Sequence, residues 1–129
     1  MAKILFNITN GTNNPTKASL GFMLARTAVE EGHEVQVFLN GDGVSLIRQP
    51  VLESLIGLGT GKLKEHFDVL LAAKVPIYVS AMSCEIRGVT EKDLKETNSL
   101  KVFPKTLLSL SLQADRTFVY WFNNYNLTS

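Results

Sequence analysis

The sequence predicts an α/β fold: a three-layer α/β/α sandwich around a mostly parallel sheet of four or five strands. Three observations predict it. Short, nearly continuous apolar runs stand at residues 4–8, 35–39, 75–79 and 117–122, as expected of strands covered on both faces. Between them, apolar residues recur at helical spacing, the alternation that builds a parallel sheet with crossover helices. At 129 residues, 45% of them hydrophobic and 19% charged, the chain suits one domain with one core. Residues 1–122 form that domain, and the polar stretch 123–129 is a C-terminal tail.

The elements follow in order. The first run ends in Asn10-Gly11-Thr12-Asn13-Asn14-Pro15, a turn. Ala18, Phe22, Ala25 and Val29 then trace one helix face, with Asn14 as cap, Pro15 in the first turn and Gly32 at the stop. After the second run, residues 40–61 carry five glycines and a proline; they read as a long mobile loop, or as a loop enclosing a short helix near residues 51–56. Leu63, Phe67, Leu70 and Leu71 mark a helix over about residues 62–74. Thr90 and Asp93 form a capping pair for a short helix. Residues 101–103 suggest a short strand, and Pro104 opens a helix carrying Leu107, Leu108, Leu110 and Leu112.

Composition narrows function. Thirteen basic against twelve acidic residues give a net charge of +1, which supplies no broad field for phosphate backbones or anionic lipid. No apolar run approaches the length of a membrane span, and the N-terminus reads as a strand rather than a signal peptide. The expectation is a cytoplasmic protein that binds neither nucleic acid nor membrane. One cysteine and two histidines without ligand spacing lead us to expect no metal and no cofactor. His33 falls at the amino edge of the sheet. His66 lies beside Leu63 and Leu70, where a surface or packing role suffices.

Ligands of open parallel sheets collect beyond the carboxyl ends of the strands. Three segments fall there: residues 10–14, 40–45 and 80–88. The first, with Asn10 and Gly11, has hydroxyls and amides before a helix start and so can cradle an anion or the phosphate of a flavin or nucleotide; turn formation explains the same residues. Asp42, between two glycines, closes a turn or lines the crevice. The third segment holds Cys84, the only thiol, with Arg87 three residues on. A nearby guanidinium favours thiolate, the form that attacks a sulfane sulfur or carries a persulfide, whereas Glu85 opposes it. The alternative is a small buried hydrophobe.

Taken together, Thr9-Asn10-Gly11, Glu31-Gly32-His33-Glu34-Val35, Asp42-Gly43-Val44, Pro76-Ile77-Tyr78-Val79, Arg87-Gly88-Val89 and Ala114-Asp115-Arg116 resemble the DsrE/TusD-like sulfur-relay family over nearly the whole chain. The Arg-Gly pair is the most specific part. That resemblance implies small α/β proteins that pass persulfide sulfur, with a five-stranded sheet, often as hexamers with active edges near subunit interfaces. It also places the sulfur-carrying cysteine seven residues before the arginine of Arg-Gly. That position is Ser80 here, and a hydroxyl cannot hold a persulfide.

Two functional expectations follow. In the first, Cys84 accepts sulfur from a donor protein and passes it to an acceptor protein. Arg87 favours the anion, Ser80 lines the crevice and donates a hydrogen bond, and Gly88 permits the next turn. In the second, the fold is a non-catalytic binding or assembly module with Cys84 inert. Either is expected to form a homo-oligomer, because residues 118–122 are apolar and aromatic throughout. A fully buried central strand would explain the same run.

Overall fold

A computed structural model describes residues 1–120. Five strands, β1 (Lys3–Ile8), β2 (Glu34–Leu39), β5 (Ile77–Ser80), β6 (Ser99–Val102) and β7 (Arg116–Tyr120), form one sheet in the order β6-β5-β2-β1-β7. Every pairing within it is parallel, in the registers Phe6↔Val37, Phe6↔Phe118, Phe38↔Tyr78 and Val79↔Lys101. The helices are α1 (Pro15–Glu30), α2 (Gln49–Ser54), α3 (Leu63–Ala72), α4 (Ala81–Ile86), α5 (Glu91–Glu96) and α6 (Pro104–Gln113). A small antiparallel hairpin, β3 (Ile56–Gly57) and β4 (Gly61–Lys62), stands apart from the main sheet.

Alternation along the strands divides the core in two. Ile4, Phe6 and Ile8, with Val35, Val37, Leu39, Ile77 and Val79, face the larger half, which Ala18, Phe22 and Ala25 of α1 and Leu63, Phe67 and Leu70 of α3 complete. Phe22 and Phe67 meet with ring centroids 6.1 Å apart, a contact worth about 0.5–1.5 kcal/mol beyond its buried area. Leu5 and Phe38 point the other way, against Leu110 of α6. Among the described residues the third layer is therefore a single helix, and Leu108 and Leu112 on it stay exposed.

Local chemistry sets the helix boundaries. Asn14 Oδ1 accepts the Lys17 amide at 3.1 Å and Pro15 follows it. Thr90 and Asp93 exchange hydrogen bonds as a complete capping box.

Residues 40–61 are not one long loop, and the short helix expected near residues 51–56 is present as α2, Gln49–Ser54. Asn40 caps a 3₁₀ segment, Gly41–Ile47, whose Val44, Leu46 and Ile47 are buried in the main core. Then come α2 and the hairpin, anchored to α1 by the contacts Leu58 N–H to Thr16 Oγ1 and Ser19 Oγ to Thr60 Oγ1. The glycines permit close packing and turns rather than freedom. β7 is an edge strand, not a buried central one, and Phe118 and Val119 are 43% and 46% exposed. Trp121, Phe122 and the expected tail 123–129 lie outside the described residues.

Candidate functional site

The three segments expected at the carboxyl edge do meet there. Asn40 N–H donates to Ile8 O at 3.0 Å, so the chain leaving β2 folds directly over the end of β1. Gly41 N–H donates to Ser83 Oγ at 3.0 Å, joining that turn to α4. Ser83 Oγ in turn donates to Asn40 Oδ1 at 3.4 Å. Arg87 closes the cluster: its Nε donates to Asp42 Oδ1 at 2.9 Å and its Nη1 to Ser83 O at 3.5 Å. Asp42 thus does more than close a turn, because it holds the arginine of the Arg-Gly pair.

Residues 80–88 contain the short helix α4, Ala81–Ile86. Ser80 is the N-cap of α4, and its Oγ accepts the Ser83 amide at 3.3 Å. The helix ends at Gly88, whose φ of +67° suits a residue without Cβ. Val89 N–H returns to Cys84 O at 3.1 Å, the hydrogen bond of a Schellman stop. The signal was present in Ser80 and Gly88 as cap and stop, but six residues are too few for hydrophobic periodicity to register. Ser80→Ala should cost about 1 kcal/mol, measured by urea denaturation; no loss would show that the cap is immaterial.

Cys84 and Arg87 are not partners. The guanidinium is engaged by Asp42 and Ser83, on the side of the 3₁₀ segment. Cys84 is 2% exposed and belongs to the main core. Burial pushes its thiol up from the ordinary value. The Lys101 ammonium opposes this, and the Asp93 and Glu91 carboxylates add to it. The expected lowering by Arg87 does not occur, because helix geometry sends the two side chains to different neighbours. Cys84 does line a surface cavity of about 470 Å³, together with Ala81, Met82, Glu85, Val89, Lys101 and Phe103.

The first segment closes on itself. Asn13 Oδ1 accepts the Gly11 amide at 2.7 Å and Asn14 Oδ1 the Lys17 amide, so these side chains hold their own backbone. Asn10 is fully buried; its Oδ1 receives a long bond from Asn13 Nδ2, and its Nδ2 finds no partner among the described residues. The histidines serve structure. His33 Nδ1 accepts the Ala2 amide at 3.0 Å, and His66 Nε2 lies 2.8 Å from Thr60 O. Among the described residues no group of three His, Cys, Asp or Glu side chains is placed to hold a metal ion, and no helix is long and apolar enough to cross a membrane.

Comparison with known proteins matches this architecture. The chain is 34% identical over 103 residues to the uncharacterised protein MJ0760 of Methanocaldococcus jannaschii, a match covering 80% of this chain but 38% of that protein. Among solved structures it is similar to the ychN protein of E. coli, with a TM-score of 0.72 and 17% identity over 93% of this chain and all of that one. A protein of unknown function from Bacteroides thetaiotaomicron, BT1422, superposes with a TM-score of 0.67 at 14% identity, covering 92% of this chain and 94% of its own. These two likenesses concern the fold. The model of the DsrE/DsrF-like family matches residues 2–120, from the first strand to the last, so the chain belongs to the DsrE/DsrF-like family.

Proposed function

We propose that this protein serves sulfur-relay chemistry as a binding or assembly member of its family rather than as the persulfide carrier. One observation carries this reading: the position where the family resemblance places the carrier cysteine is Ser80, and its hydroxyl caps α4. The remaining thiol supports it as well, being buried, held toward its neutral form and turned away from Arg87. On this reading the chain works in the cytoplasm, assembles with copies of itself, as the family resemblance implies, and engages sulfur-donor or acceptor proteins through its surface. Light scattering reads the assembly, and a monomer at micromolar concentration would contradict it.

A second reading has an observation of its own: Cys84 lines an open cavity beside Lys101, whose charge favours the thiolate. In that reading the Cys84 thiolate attacks the terminal sulfur of a donor persulfide. A new S–S bond forms, the donor S–S bond breaks, and the donor leaves as thiolate with no net oxidation. One experiment separates the two. The protein is incubated with a cysteine desulfurase and cysteine, and its intact mass is measured. No sulfur adduct is the expected result. An adduct that forms on the wild type and vanishes in Cys84→Ala would overturn the module and establish the carrier.

A further inference from the structure

Among the described residues β6 pairs with β5 alone and forms one margin of the sheet. Alternate residues of such a strand present N–H and C=O groups with no neighbour, a template for one more strand. Beside this edge α5 and β6 enclose a groove of about 690 Å³, lined by Glu91, Lys92, Lys95, Leu94 and Asn98 of the α5 region and by residues 99–101 of β6. Lys92, Lys95 and Lys101 are all exposed; Glu91 is the carboxylate in the lining, and Glu96, just outside it, stands 3.8 Å from Lys92 Nζ. Leu100, which also borders the groove, points by strand alternation toward the α6 face and is 52% exposed. The strand therefore shows cations on its α5 face and an open apolar side chain on its α6 face.

A single lysine on an edge strand commonly serves to discourage aggregation. Three lysines around a groove, combined with an exposed leucine on the other face, make a two-sided pattern that one class of ligand complements. We propose that the β6 edge docks an extended segment of a partner protein in which acidic and apolar residues alternate. The acidic side chains meet Lys92, Lys95 and Lys101, and the apolar ones meet Leu100. Glu91 bridges to Lys101 at 3.1 Å and occupies the position an incoming carboxylate takes. Lys101 also lines the Cys84 cavity, so a segment bound here lies beside that cavity. The inference deepens the binding-module reading, on which it rests, by naming the surface and the partner's chemistry.

The test uses the full chain and a fluorescent peptide of alternating Glu and Val, capped at both ends and slightly longer than β6. Anisotropy measures binding, and amide hydrogen exchange maps it. The expected result is saturable, salt-sensitive binding that slows exchange at alternate residues of β6. Lys95→Glu with Lys101→Glu should weaken it about tenfold. Glu91→Gln should tighten it about twofold by freeing Lys101, and this variant keeps the test valid if the double reversal fails to fold. Absence of binding, binding indifferent to these substitutions, or protection elsewhere would overturn the proposal. Protection of β6 in the free protein, with the mass of a dimer, would assign the edge to a second copy and overturn it equally. Binding should persist in Cys84→Ala, so a positive sulfur-adduct result and a negative peptide result remain separate findings.

Discussion

Iodoacetamide at neutral pH should label Cys84 in the native protein about a hundredfold or more slowly than in the unfolded chain. Two effects act in the same direction. The residue is 2% exposed, so reagent reaches the sulfur only through an opening of the structure. Burial also holds the thiol above its ordinary value of 9.0, so the nucleophilic thiolate is scarcer than in a free cysteine. Labelling as fast as that of a free thiol would show a presented sulfur and would favour the carrier reading.

The same shift links stability to pH. Below the unfolded thiol's value both states keep the proton, and the group contributes no pH dependence. As pH rises through 9.0 the unfolded chain releases its proton first, so stability falls until the folded thiol ionises as well. Tyr120, also raised by burial, acts in the same sense from its ordinary value of 10.0. Cys84→Ala should therefore lose less stability than the wild type between neutral pH and the alkaline range. Parallel curves from denaturation at several pH values would refute the buried-thiol description.

Gly43→Ala should destabilise the protein by about 3 kcal/mol, the upper end of ordinary overpacking costs. A Cβ built at Gly43 clashes with Ile8 O and lies 3.4 Å from Thr9 Cα. Both are backbone atoms at the end of β1, so no rotamer change relieves the clash. The 3₁₀ segment must lift, which strains the Asn40 to Ile8 hydrogen bond and moves Asp42, the partner of Arg87. Gly59→Ala makes a suitable control, because a Cβ there meets nothing and only the positive φ of +76° opposes it, at roughly 1–2 kcal/mol. Equal losses from chemical denaturation of the two variants would show that close approach at Gly43 is not the cause.

The sequence by itself determined the layers, the cap at Asn14, the capping box at Thr90 and the family. These depend on local spacing and on residue types whose backbone preferences act within a few positions. Residues 118–122 show its limit: an apolar run reads alike in a central strand and at an edge, and only the pairing order placed β7 at the margin. The glycines of residues 40–61 likewise mean freedom or close packing until a neighbour is known, and β1 is that neighbour. At the site, the three-position spacing of Cys84 and Arg87 permitted a contact without requiring one. Tertiary structure sent the guanidinium to Asp42 and the sulfur into the core, because each side chain answers to what packs against its own side of α4.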